Sequence, residues 1–231
     1  MPIGYALCIG VSAVDLKNYN VFLPKIDVCD KDAKSIYEIL KKNGFKSSIL
    51  LNKSATREKI KDSFQEISKK VVEGDIFVIY FSGHGVQRTD SEKDEADLKD
   101  ESICLYDGPL WDDEIKIMLS NLNHKSRLLF ISDSCHSGTI VDREPSRYIK
   151  CKRPENLIQI SSCLDHQISK PGYNNSLFTG KMIDIYNERI FSTYETFFKE
   201  IKRRCPKIQQ PSLYFTQNAK DGFLYEEPFK I

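Results

Sequence analysis

The chain has 231 residues, 40% hydrophobic and 29% charged, enough for one packed domain or two intimately packed halves. Its 34 basic and 33 acidic side chains nearly cancel, so the overall balance argues against a nucleic-acid or membrane-surface protein. The short apolar run after Met1 has no basic residues before it and is too short for a secretion signal or a membrane span, and the seven cysteines form no C-x-x-C pair; the expectation is a cytoplasmic protein with free thiols.

Along the chain, Tyr5 to Val11 reads as a strand buried on both faces. Ala33, Ile36 and Leu40 fall at helical spacing within a segment from Cys29 to Lys42 that stops at Asn43-Gly44. Ser47 to Leu51 resembles a second strand, and Ile60, Phe64, Ile67 and Val71 mark one face of a second helix. Ile76 to Phe81 (IFVIYF) and Arg127 to Ser132 (RLLFIS) are the most β-prone runs. Between them lie an acidic stretch over 90–101, a strand-like SICLY over 102–106 and a helix beginning near Asp112. Residues 143–156 carry two prolines and five basic side chains without apolar periodicity and read as an exposed linker. A strand over 157–161, a helix near 176–186, a helix beginning at Ser192 with capping-box spacing to Glu195, and a strand over 212–215 complete the chain. Alternating strands and helices predict a mostly parallel sheet with helices on both faces. Ligands then bind beyond the carboxyl ends of the strands.

Two loops stand at those ends. Ser82-Gly83-His84-Gly85 follows IFVIYF, and Asp133-Ser134-Cys135-His136-Ser137-Gly138 follows RLLFIS. A histidine framed by glycines has little to pack against, and Cys135 is surrounded by small polar residues rather than core formers. If the strands are neighbours, the imidazole of His84 and the thiol of Cys135 converge, and the first can take the proton of the second. The backbone N–H groups of Gly85 and Cys135 are candidates for an oxyanion hole. By themselves these residues support only a generic thiol hydrolase.

FSGHG at 81–85 and DSCHSG at 133–138, with His84 placed 51 residues before Cys135, resemble the metacaspases and their bacterial relatives, the orthocaspases. The nucleophile segment is unlike the QAC signature of animal caspases. The similarity extends to Cys29-Asp30-Lys31-Asp32-Ala33, to the acidic segment over 94–107, to Trp111-Asp112-Asp113-Glu114, to SSCLDHQIS at 161–169 and to NSLFTGKM at 175–182. The resemblance implies a caspase-like fold with a large-subunit-like region over 1–142, a basic linker over 143–156 and a small-subunit-like region over 157–231. It also implies a monomeric cysteine endopeptidase that needs no cofactor for its chemistry.

Asp133, two residues before the nucleophile, is placed to pair with a basic substrate side chain, since an incoming Lys or Arg relieves the cost of a buried carboxylate. The resemblance agrees: metacaspases cleave protein substrates after Arg or Lys, using this aspartate and one matching Asp32. Asp133, Asp32 and Ser82 are the substrate-binding candidates, Asp133 the stronger of the two acids because Asp32 also opens a helix, where aspartate is favoured anyway. The basic side chains between Arg143 and Arg153 make that loop a candidate for self-cleavage. The resemblance further suggests calcium activation through Asp97 or Asp100, Asp112 and Asp113, and Asp142, hard oxygen donors that lack EF-hand spacing. The competing readings are a non-catalytic caspase-like interaction module and a cysteine amidase.

Overall fold

The first strand, β1 (Gly4–Gly10), is buried along its whole length because both of its faces are covered. Successive side chains of a strand point to opposite sides, so Ala6 and Cys8 join one apolar cluster while Tyr5, Leu7 and Ile9 join the other. The computed structural model describes residues 1–89, 99–134, 154–162 and 174–231. Helix α1 (Cys29–Lys42) follows, and its apolar stripe of Ala33, Ile36 and Leu40 packs on the first face. Strand β2 (Lys46–Leu51) leads into α2 (Arg57–Ser68), which buries Ile60, Phe64 and Ile67 against the second face. The chain then enters β3 (Ile76–Ser82), whose alternation sends Val78 and Tyr80 one way and Phe77, Ile79 and Phe81 the other.

Beyond β3 come β4 (Gly85–Thr89), β5 (Lys99–Leu105) and β6 (Gly108–Trp111), a small antiparallel sheet, then α3 (Asp112–Leu119) and β7 (Arg127–Asp133). Strand β8 (Asn156–Ser161), helices α4 (Leu177–Glu188) and α5 (Tyr194–Arg204), strand β9 (Ser212–Phe215) and a short α6 (Gln217–Asp221) finish the domain. The central sheet runs β2-β1-β3-β7-β8-β9, with every pair parallel except β8 with β9. Helices α1, α4 and α5 cover one face; α2 and α3 cover the other. The expected α/β architecture, a mostly parallel sheet between two helical layers, is therefore the one observed.

One expectation is corrected and another extended. Helix α5 begins one residue later than the Ser192 cap predicts: Thr193 is the N-cap, and its hydroxyl accepts from the N–H of Thr196 at 3.2 Å, while Thr196 rather than Glu195 returns the bond. The stretch around SICLY is the middle strand of a three-stranded sheet whose outer strands escape sequence reading, being short and carrying Gly, Pro, Gln and Arg.

Candidate active site

Strands β3 and β7 are parallel neighbours in register, with Ser82 opposite Asp133. The two motif loops therefore leave the sheet side by side, beyond the carboxyl ends of adjacent strands. Strand order also reverses beside β3, because β1 sends its connection outward to β2 and the chain returns across it to β3. A crevice opens at such a reversal, which is where open α/β sheets hold ligands. Backbone bonds brace this edge: the N–H of Val11 reaches the carbonyl of Ser82 at 2.9 Å, and the N–H of Gly83 reaches that of Asp133 at 3.2 Å.

His84 lies half-buried between these braces. Its carbonyl accepts from the N–H of Cys104 at 2.9 Å, which ties it to β5, and Gly85 opens β4 opposite Ile103. Gly83 is required by crowding: a Cβ there meets the ring of Phe81 at 2.7 Å. The imidazole Nε2 lies 2.6 Å from the carbonyl oxygen of Pro24. A carbonyl only accepts, so Nε2 carries a proton, and in the neutral ring the lone pair is then on Nδ1. Pro24 belongs to an irregular segment between β1 and α1 with no periodicity to announce it. That segment is pinned by the Ile26 N–H to the Ser12 carbonyl at 2.8 Å and by the Asp15 N–H to the Tyr106 carbonyl at 2.8 Å.

Asp32 and Asp133 converge on the far side of the sheet edge. Both are buried. Asp32 sits in the first turn of α1, yet its carboxylate faces inward. Oδ2 accepts from the Ser82 hydroxyl at 3.0 Å, and Oδ1 accepts from the Asn175 amide and the Ser176 N–H, each at 2.9 Å. Asp133 Oδ2 accepts from the hydroxyl of Thr179 at 2.7 Å and from that of Ser176. Ser176, the N-cap of α4, thus bridges the two acids, one through its N–H and one through its hydroxyl. Burial and the neighbouring charge of Asp133 push the Asp32 carboxyl up from its ordinary 3.8 to about 7. Among the described residues, no lysine or arginine pairs with Asp32. The structure thus brings together His84, Gly85, Asp133, Asp32 and Ser82, and adds Pro24, Asn175, Ser176 and Thr179. In the sequence the last three stand out as a helix start and as part of the resembling segment over 175–182, with no role attached to them.

Cys135, Asp97 and Asp142 lie outside the described residues, as do the linker over 143–153 and the Asp165-His166 pair. Four cysteines are described, Cys8, Cys29, Cys104 and Cys205, all buried and none disulfide-bonded among the described residues. Burial pushes the thiols of Cys8 and Cys29 well above the usual range and that of Cys205 up to about 11, which makes them poor nucleophiles.

The remaining metal candidates lie towards one end of β5 and β6, and among the described residues no three acidic, histidine or cysteine side chains are grouped to hold a metal ion. Lys116 Nζ lies 3.0 Å from Asp112 Oδ2 and 3.6 Å from Asp113 Oδ1, and Arg88 Nε lies 2.6 Å from Asp100 Oδ2. Glu101 accepts from the amide of Gln87 at 3.1 Å. No helix among the described residues is long and apolar enough to cross a membrane.

A parallel sheet with a glycine-framed histidine beside two buried acids defines the class, and comparison with known proteins agrees. The Caspase domain family model matches residues 3–223, and the chain belongs to that family of cysteine peptidases. It is 37% identical over 129 residues to Metacaspase-3 of Arabidopsis thaliana, covering 49% of this chain and 36% of that one. It is 32% identical over 152 residues to Metacaspase-1 of Saccharomyces cerevisiae, covering 59% of this chain and 34% of that one. The chain thus spans about a third of the length of these relatives. The crystal structure of protein GSU0716 from Geobacter sulfurreducens superposes with a TM-score of 0.87 at 33% identity, covering 100% of this chain and 99% of that one.

Proposed function

We propose that this chain is a cysteine endopeptidase that cleaves after Arg or Lys, with Cys135 as nucleophile, His84 as its acid and base, and Asp133 and Asp32 as receptors for the basic side chain. The observation that carries the specificity is the buried Asp32–Asp133 pair. Two carboxylates in one dry site repel each other, and hydroxyl and amide donors offset that only in part. A guanidinium or ammonium entering there brings positive charge to Asp32 and draws it into its ionised form.

The dyad follows from the histidine. With Nε2–H donated to the Pro24 carbonyl, the lone pair on Nδ1 accepts the proton of the Cys135 thiol. The thiolate attacks the scissile carbonyl carbon, and the developing oxyanion takes the backbone N–H groups of Gly85 and Cys135. The imidazolium returns its proton to the leaving amine, which frees the carboxy-terminal fragment and leaves a thioester. Water, deprotonated by the neutral imidazole, then cleaves the thioester and regenerates the thiol.

Fluorogenic peptides differing only at P1 test the reading. Arg and Lys substrates are expected to turn over and an Asp substrate to remain intact; preference for Asp, or no turnover of any, overturns it. Cys135→Ala and His84→Ala are each expected to lower kcat by about 10⁴ or more, since the members of such a unit fail together. Self-processing belongs to the same reading, because the linker carries Arg143, Arg147, Lys150, Lys152 and Arg153. Amino-terminal sequencing of fragments is expected to place the cut after one of these in the parent and to find none in Cys135→Ala.

A further inference from the structure

We infer that Lys116 is the resident counter-cation of the acidic cluster at Asp112 and Asp113, so that this position takes up no divalent metal. The resemblance assigns calcium to these aspartates, and the side chains around them do not fit that ion. Asp112 and Asp113 are the first two residues of α3, and Lys116 stands one turn on, so helical geometry stacks the ammonium over both carboxylates. The side chain of Lys116 is 3% exposed and that of Asp112 2%. A lysine is almost never buried so deeply without an anion to hold it. Here Nζ donates to Asp112 Oδ2 at 3.0 Å and stands 3.6 Å from Asp113 Oδ1, the place between two acids that a hard cation would take. The other oxygen of Asp112 is engaged as well, accepting the N–H of Asp113 at 3.0 Å.

The neighbouring acids are satisfied in the same manner. Trp111 pairs with Ser102, which places Asp100 and Glu101 at the same end of the small sheet. Asp100 is held by Arg88, whose guanidinium also lies 4.0 Å from the centre of the Trp111 ring, and Glu101 is held by Gln87. Calcium needs six to eight oxygen ligands, and to gather them here it must displace a buried ammonium and compete with a guanidinium. The strands that carry this cluster begin at Gly85, directly after His84.

The test is a melting curve of the full chain, read by circular dichroism in EGTA and in about 10 mM calcium, a level set by weak oxygen sites. Wild type is expected to melt at the same temperature in both. Lys116→Gln takes the ammonium away from the buried Asp112 and the part-buried Asp113 and is expected to melt roughly 10 °C lower in EGTA. Calcium is expected to restore several degrees of that loss, because the glutamine adds an amide oxygen where the ammonium stood. If Lys116→Gln does not fold, Asp112→Asn/Lys116→Gln removes charge from both sides; it is expected to melt nearer wild type and to ignore calcium. Two results overturn the inference: a calcium-induced rise in the wild-type melting temperature that Asp112→Asn abolishes, or Lys116→Gln melting with wild type in EGTA. The readout is stability, so it stands whether or not the chain proves to be a peptidase.

Discussion

The molecule holds two pairs of aspartates, three of the four side chains buried, and surrounds the pairs differently. Asp112 and Asp113 share the ammonium of Lys116. Asp32 and Asp133 share Ser176, and the donors to Asp32 are a hydroxyl, an amide and an N–H. Neutral donors stabilise a carboxylate less than a cation does, and the raised Asp32 shows the consequence. The first pair holds its cation within the fold; Asp32 is held by neutral donors, and under the proposed reading an incoming basic side chain supplies its counter-charge. A chain can thus turn the same residue type into scaffold or receptor by placing, or withholding, a lysine four residues on.

The largest effect expected from this contrast is at Asp133. Asp133→Asn keeps the shape and an acceptor oxygen but removes the charge. Truncating one side of a buried charge pair costs about 2–5 kcal/mol, so kcat/KM for an Arg substrate is expected to fall by about 10²–10³, since each 1.4 kcal/mol is tenfold. The matching uncharged P1 substrate should lose less than tenfold. Equal losses for both substrates would make Asp133 a brace for the loop, and the contrast between the two pairs would collapse.

A second prediction concerns pH. The folded-state carboxyl of Asp32 titrates at about 7 against 3.8 for an ordinary aspartate. Between those values the native state holds a proton that the unfolded chain has released, so this group lowers stability as pH rises through that window and adds no slope outside it. The difference in unfolding free energy between wild type and Asp32→Asn, followed by urea from pH 4 to pH 8, is expected to move in favour of the variant by a few kcal/mol. A saturating Arg-containing product should flatten that difference for the wild type alone. A pH-independent difference would mean that Asp32 is ionised throughout and needs no incoming cation.

Much of this was legible in the sequence, and what was not has physical causes. Strands β1, β3 and β7 declare themselves because a strand buried on both faces must be apolar at every position, and their parallel neighbourhood puts His84 and Asp133 at one edge. Strands β4 and β6 give no such signal, since one carries Gln87 and Arg88 and the other contains Gly108 and Pro109. Pro24 acts through its carbonyl, which every residue has, so no residue type could mark it. Asp32 ranked below Asp133 because an acid in the first turn of a helix is explained by the helix alone; only the tertiary position of Ser82, Asn175 and Ser176 turns it inward. Lys116 carries no distinguishing mark in the sequence, because an i to i+4 pair reads identically whether it faces water or the core.

The smallest expected effect probes the neutral donors themselves. Thr179 donates to Asp133 Oδ2 at 2.7 Å and its hydroxyl also bonds the buried Tyr80 hydroxyl at 2.6 Å. Thr179→Val keeps the volume and removes both bonds, leaving Tyr80 without this partner. The cost to stability is expected to be about 1–3 kcal/mol, the penalty for stranding a buried polar group. Activity should behave differently. If a basic side chain supplies the main counter-charge, losing one hydroxyl deepens the deficit it fills, so the ratio of kcat/KM for Arg over an uncharged P1 is expected to hold or to rise within about threefold. A fall of that ratio by tenfold would mean that the hydroxyls, and not the substrate, neutralise Asp133, and the receptor pair would then resemble the Lys116 cluster after all.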